Sequence, residues 1–371
     1  LIIGVPAEVK PGESRVAMTP DGVRELSVLG HRVLVEAGAG ESSSFDDGDY
    51  RAAGGELVGA EAAWSAHLVC KVKEPQESEF GYLRSDLTLF TFLHLAAYPH
   101  VSNAILQSGT TAIAYETVQL ASGGLPLLAP MSEVAGRMAT QVGAHLLERD
   151  HGTRGILLGG APGVRPARVV VIGAGHVGWN AAWIAQGMEA EVLLLDRDID
   201  RLRWVDQIHR GRIMTLASNR GSIERTIRDA DLVIGAVLLA GGRAPIVVTR
   251  EMVSAMRPGS VIIDVAVDQG GCIETTHETT HEDPTYLVDG VLHYAVGNIP
   301  AAVPYTSTYA LTNATFHYIA LLAERGVTDA VSADPALALG VNAVAGRLTN
   351  PHVAAALGQE SVDPTEMLGD G

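Results

Sequence analysis

The sequence predicts an α/β fold of two Rossmann-like, doubly wound parallel-sheet domains with an interdomain cleft, and three observations lead there. Short apolar runs alternate with helical stretches along most of the chain, a pattern that buries parallel strands under helices on both faces. In mid-chain a glycine cluster, Gly173-Ala174-Gly175-His176-Val177-Gly178, lies between the apolar segments Val169-Val170-Val171-Ile172 and Val192-Leu193-Leu194-Leu195. Strand-and-helix material precedes this unit and helical material follows it, so the first domain is expected to be discontinuous: residues 1–128 and 306–371 in one lobe, 129–305 in the other.

The elements follow in order. Residues 1–5, 32–35, 68–72, 88–93 and 111–115 are short apolar runs that read as strands, with helical character in 20–29 and 101–108. Val134, Met138, Val142 and Leu146 recur every fourth residue, which predicts one long helix over 130–151 leading into the second lobe. Beyond the glycine cluster, 231–237, 260–266 and 292–296 should complete a second sheet, and a helix over 307–324 leads back. Residues 351–371, with acids, glycine and two prolines, are expected on the surface.

Composition narrows the function classes. The 371 residues are 47% hydrophobic and 19% charged, enough for two substantial cores. A net charge of −17 argues against a nucleic-acid backbone or an anionic membrane as partner. No apolar run has the 18 or more residues of a membrane span, and the first ten residues read as a strand without a signal-peptide pattern, so a cytoplasmic location is expected. Cys70 and Cys272 fall in or beside apolar strands and read as core side chains in a reducing compartment. No Cys/His cluster has metal-site spacing, and no metal is expected.

The glycine cluster has the G-x-G-x-x-G spacing of a dinucleotide-binding turn. Gly173 permits the tight turn, Gly175 lets a pyrophosphate approach the backbone, and Gly178 lets helix pack on strand. Eighteen residues beyond Gly178, Asp196 ends the second strand. A carboxylate there accepts hydrogen bonds from a ribose 2′-hydroxyl and repels a 2′-phosphate, which favours NAD. Arg197 next to it would suit that phosphate if Asp196 turned away, so NADP stays open.

Ligands of open α/β sheets bind outside the carboxyl ends of the strands. Lys73, His94 and Glu116 each follow an apolar run of the first lobe, Asp268 follows one in the second, and Arg15 lies in the loop after the first strand. Singly each has an ordinary reading: Lys73 and Glu74 as a solvated pair, His94 as a core histidine, Asp268 as a turn cap, Glu116 as an arginine partner. Together a cationic pair, a histidine and a carboxylate facing a nicotinamide are what reduction of a small 2-keto acid requires.

The chain also resembles the L-alanine dehydrogenase family. The resemblance rests on Glu13-Ser14-Arg15-Val16-Ala17-Met18-Thr19-Pro20, Lys71-Val72-Lys73-Glu74-Pro75, Phe92-Leu93-His94-Leu95-Ala96, Ala114-Tyr115-Glu116-Thr117, Pro130-Met131-Ser132-Glu133-Val134-Ala135-Gly136, Asp268-Gln269-Gly270-Gly271 and Thr308-Tyr309-Ala310-Leu311-Thr312-Asn313-Ala314-Thr315. It implies reversible oxidative deamination of L-alanine to pyruvate and ammonium with NAD, usually by a hexamer. By the same resemblance, Arg15 and Lys73 hold the substrate carboxylate and keto group, His94 is the acid/base, and Asp268 assists proton transfer beside the nicotinamide ribose. Ser132 lies near the cofactor phosphates, and Asn298 lies beside nicotinamide and substrate. The family includes the soluble NAD-binding part of proton-translocating transhydrogenase, a non-catalytic alternative. Ile299 stands where the family has methionine, which leaves another small amino or imino acid open as substrate. His176 and Trp179 are bulky for the glycine turn.

Overall fold

The computed structural model describes residues 1–237 and 244–369. The chain forms two compact units, one of Leu1–Met131 with Val303–Gly371 and one of Ser132–Ala302.

The first unit is built on an eight-stranded sheet. Its spatial order is Arg347–Leu348, Val341–Val344, Thr111–Ala114, Thr88–Thr91, Leu68–Cys70, Ile2–Val5, Arg32–Glu36, Glu56–Val58. Six strands are parallel, and the strand order reverses between Ile2–Val5 and Leu68–Cys70, which pair through Ile3↔Leu68 and Gly4↔Val69. That is the doubly wound order, and the reversal is where ligands of such sheets bind. Ile3, Val5, Val69, Leu89, Phe90 and Ile113 are fully buried, as strands covered on both faces must be. The helix Pro20–Val28 starts where Thr19 accepts a hydrogen bond from the Gly22 N–H and Pro20 supplies a preset φ.

The second unit repeats the order in seven strands: Thr285–Val288, Val291–Tyr294, Val261–Asp264, Leu232–Gly235, Arg168–Ile172, Glu191–Asp196, Met214–Ala217. Its reversal lies between Arg168–Ile172 and Leu232–Gly235, in register from Leu232↔Val169 to Gly235↔Ile172.

Some expectations are corrected. The sheets are not wholly parallel: Val341–Val344 runs antiparallel to Thr111–Ala114, Arg347–Leu348 antiparallel to Val341–Val344, and Thr285–Val288 antiparallel to Val291–Tyr294. Part of the tail read as helical is therefore edge strand, a state that pairing and not propensity decides. The helix expected over 130–151 stops as Ala129–Leu146, and Gly152 at φ 77 closes the short turn Arg149–His151 that follows. The later helix is longer than its pattern, Pro304–Ala333, with a break at Gly326. Residues 351–371 are not all surface. Val353 and Ala354, on the helix Pro351–Ala356, are buried in the same core cluster as Leu348.

Candidate active site

At the carboxyl edge of the first sheet the structure gathers a dense set of charges. The loop after Ile2–Val5 brings Glu8, Lys10, Glu13 and Arg15, and the chain leaving Leu68–Cys70 brings Lys71, Lys73 and Glu74. Arg15 is only 2% exposed. Its Nε and Nη2 donate to the two carboxylate oxygens of Glu13 at 2.6 and 2.5 Å, and its Nη1 lies 2.9 Å from the sulfur of Met131. Burial would raise the Glu13 pKa, but the adjacent Arg15 charge, its hydrogen bonds and Lys73 outweigh that and hold it at about 2.

Lys71 is fully buried between two carboxylates, with Nζ 3.2 Å from Glu8 and 2.9 Å from Glu79, and it faces the Trp64 ring. Burial alone would drive off its proton, and the two carboxylates reverse the sign, so its pKa is raised. Glu74 pairs with Lys10, which also lies over the Tyr98 ring. Lys73 differs. Among the described residues no carboxylate lies within ion-pair distance of its Nζ, and burial together with the Arg15 charge lowers its pKa despite Glu13.

One strand further along, His94 follows Thr88–Thr91 in a left-handed backbone conformation, φ 47. This is uncommon for a residue with a β-carbon, and such strain gathers at functional sites. Glu116 holds it there, accepting the N–H of His94 at 2.6 Å and of Leu93 at 3.2 Å. The His94 ring stacks parallel on Phe92, and its Nδ1 lies 3.8 Å from Glu116. The side chain is 37% exposed, so the ordinary reading as a core histidine does not hold.

The glycine turn is in the second unit. Gly173 has φ 105, and a β-carbon on Gly178 would lie 1.7 Å from the Gly173 carbonyl oxygen, so the fold itself requires both glycines. Gly175 is another case: its φ is −73, and among the described residues beyond its chain neighbours a β-carbon there would meet nothing closer than Arg201 at 3.9 Å, which leaves space beside it. Gly175 also caps the helix His176–Gly187 with no side-chain hydrogen bond, which leaves the first N–H groups available to an anion. Both features fit a dinucleotide pyrophosphate. Asp196 accepts the N–H of Ala174 at 2.5 Å and of Asp198 at 2.8 Å, tying the turn to the end of Glu191–Asp196. Arg197 beside it is exposed.

Of the bulky residues near the turn, Trp179 packs on the face of its own helix and the next. The Trp179 indole donates to His209 at 3.0 Å and packs on Trp183 and Trp204, while His176 is exposed. Ser132 is on the helix Ala129–Leu146, Asp268 is exposed on the short helical turn Val267–Gln269, and Asn298 is half-buried at φ 56 just before the turn Ile299–Ala302. Ile299 is buried, 2% exposed.

The structure thus brings Arg15 and Lys73 together, puts His94 on the next strand end, and gathers Gly173, Gly175, Gly178 and Asp196 at one turn. Sequence reasoning missed Glu8, Glu13, Lys71 and Glu79: Glu8 meets the Val72 N–H from 64 residues away, and Glu13 and Glu79, though only two and eight residues from Arg15 and Lys71, are committed to them by burial that the local sequence does not state. It also missed Asp264, a fully buried carboxylate that accepts the N–H groups of Ala266, Cys272 and Ile273 and the Thr276 hydroxyl, and so fixes the loop around Asp268. Cys70 and Cys272 are buried free thiols. No group of three or more metal-ligating side chains occurs among the described residues, and no helix there is long and apolar enough to cross a membrane.

Comparison with known proteins agrees along the whole chain. Residues 4–135 match the family model for the alanine dehydrogenase/PNT N-terminal domain, and residues 139–351 match that for the C-terminal domain. The alanine dehydrogenase of Mycobacterium tuberculosis is 54% identical over 368 residues, covering 99% of both chains. A solved L-alanine dehydrogenase superposes with a TM-score of 0.94 at 49% identity, over 96% of this chain and 99% of its own. A transhydrogenase from Sinorhizobium meliloti shares the fold, with a TM-score of 0.81 at 24% identity over 95% of this chain and 99% of its own. With both domain models matched in order and more than half of the residues shared with a full-length relative, this chain belongs to the alanine dehydrogenase/PNT family.

Proposed function

We propose that this protein is an NAD-dependent alanine dehydrogenase, which interconverts L-alanine, water and NAD⁺ with pyruvate, ammonium, NADH and a proton. The observation that carries the reading is the charged sheet edge of the first unit, where Arg15 and Lys73 come together and His94 stands at the next strand end. The nearly full-length likeness to named alanine dehydrogenases supports it. When bound, the nicotinamide supplies hydride transfer.

The chain's own residues do the rest. Lys73, a cation with no carboxylate in ion-pair reach among the described residues, polarises the keto oxygen of pyruvate, or receives the developing charge in the other direction. Arg15 offers a planar fork to the substrate carboxylate, but that fork is on Glu13, so it engages substrate by sharing donors or by releasing Glu13. His94 takes a proton from the water that attacks the imino acid and returns one to the departing ammonia. Asp268 assists that proton transfer. In the second unit the N–H groups beyond Gly175, with Gly173 and Gly178 shaping the turn, take the pyrophosphate. Asp196 takes the adenosine ribose hydroxyl, Ser132 lies near the phosphates, and Asn298 lies beside the nicotinamide.

The test is NADH formation with a panel of L-amino acids, repeated with NADP. L-alanine with NAD is expected to give the highest kcat/KM. A higher value for glycine, serine or 2-aminobutyrate would move the reading to another small amino acid, as Ile299 in place of methionine allows. No activity on any amino acid would overturn it in favour of a non-catalytic NAD-binding component. We also propose a cytoplasmic homo-oligomer, a hexamer by family likeness, which light scattering on the purified protein tests.

A further inference from the structure

Glu8 has no part in the reading above, yet its carboxylate is 2% exposed and makes three contacts around one point. Oε1 accepts the Val72 N–H at 2.6 Å, Oε2 accepts the Lys73 N–H at 3.3 Å, and Oε2 also lies 3.2 Å from the Lys71 ammonium. Beyond Cys70 the parallel ladder ends, and the chain must present Lys73 without a full set of strand partners. On one side Phe92 N–H still reaches the Val72 carbonyl, and the Thr91 hydroxyl reaches that of Lys73. On the other side the Val72 and Lys73 donors would be buried and unmet without Glu8, a costly state. Lys71 neutralises the buried carboxylate, and Glu79 completes the charge balance.

We propose that Glu8 is a positioning residue that aims Lys73 at the substrate by holding the backbone of Val72 and Lys73. The inference rests on the reading of Lys73 as a substrate-binding residue. Glu79 gives an internal control: it pairs with the same lysine, is 4% exposed, and bonds the Gln76 N–H in place of that of Lys73. Loss of either carboxylate disturbs the buried triad alike, but only loss of Glu8 frees Lys73.

The experiment uses full-length Glu8→Gln, Glu79→Gln, Lys73→Ala and the double variant Glu8→Gln/Lys73→Ala. Each is checked for NADH affinity and Tm and then assayed with pyruvate. Glu8→Gln is expected to raise the pyruvate KM roughly ten- to a hundredfold, the scale of a misplaced contact group, with NADH affinity unchanged. Glu79→Gln should lower Tm as much while moving the pyruvate KM far less. In the Lys73→Ala background, Glu8→Gln should add no further KM effect. Equal KM effects from the two glutamates, or a full additional effect in the double variant, would overturn the role of Glu8 and leave Lys73 intact. If Lys73→Ala left the pyruvate KM unchanged, the reading of Lys73 would fall, and this role of Glu8 with it. Should Glu8→Gln not fold, Glu8→Asp takes its place, since it keeps the charge but cannot reach both N–H groups.

Discussion

The two sheets run in the same strand order and reverse at the same place, yet their carboxyl edges are built from opposite materials. The edge of the second unit is made of backbone: two glycines that the fold needs, one that it does not, and a helix end with open N–H groups. The edge of the first unit is made of side chains. Lys10, Arg15, Lys71 and Lys73 stand against Glu8, Glu13, Glu74 and Glu79, four cations and four carboxylates. A pyrophosphate is the same wherever it binds and can be held by peptide donors alone, so spacing suffices to build its site. A small keto acid needs charges placed around it, and a buried charge needs a partner that the fold holds against it.

The largest effect that would break this contrast is chemical. His94→Ala is expected to lower turnover by roughly 10²- to 10⁴-fold, the range for a lost acid/base, with NADH affinity almost unchanged. The readout is steady-state kinetics beside fluorescence titration with NADH. Near wild-type turnover would return His94 to a strained residue without chemistry.

Next in size is the acid response of the first edge. The folded Glu13 pKa, about 2, lies below its ordinary value of 4.5, so its contribution to stability is complete above about pH 5 and fades as pH falls through 4.5 towards 2. That shift corresponds to on the order of 3 kcal/mol. Urea unfolding from pH 7 to pH 2.5 should show wild type losing this increment. Glu13→Gln should be weaker by a similar amount at pH 7 and converge with wild type in acid. Parallel curves for the two proteins would mean that the Arg15 pair does not stabilise the fold.

The glycines test the second edge from within. Gly178→Ala sets a β-carbon against the Gly173 carbonyl and should lower Tm. Among the described residues beyond its chain neighbours, Gly175→Ala meets no atom closer than 3.9 Å, so its Tm should match wild type while its NADH Kd rises by roughly tenfold, about 1.4 kcal/mol. A lowered Tm with unchanged NADH affinity in Gly175→Ala would show that this glycine serves the fold and not a ligand.

The smallest expected change is in cofactor preference. Asp196 carries two backbone N–H bonds, so Asp196→Ala would loosen the turn as well as remove a charge. Asp196→Asn keeps one of the two acceptors, disturbs the turn less than Ala does, and lifts the repulsion of a 2′-phosphate. It should raise the NADP:NAD ratio of kcat/KM several-fold, on the order of 1 kcal/mol, with Arg197 beside it. An unchanged ratio would show that the ribose does not bind there.

The difference between the edges is also a difference in legibility. The glycine turn could be read directly, because its parts are neighbours in sequence and each glycine answers a local demand. Lys73 and His94 could be placed at strand ends for the same local reason. The Glu8 clamp on Lys71 and the left-handed His94 on Glu116 could not be, and even the Glu13 fork on Arg15 and the Glu79 pair with Lys71, two and eight residues apart, become fixed pairs only because the fold buries them. Glu8 and the Val72 N–H that it accepts are 64 residues apart, and nothing in either segment names the other.

The sequence by itself determined the doubly wound α/β class, the mid-chain dinucleotide turn, the strand ends that carry polar residues and the family resemblance. These follow from periodicity, glycine spacing and short motifs, which act over a few residues. Only the tertiary structure decided that Val341–Val344 and Arg347–Leu348 are antiparallel edge strands, that Val353 is in the core, and that Lys73 alone among the lysines of its edge has no carboxylate within ion-pair reach among the described residues. The reason is physical: the pairing of an edge strand and the state of a buried charge are set by whichever groups the fold brings within a few ångströms.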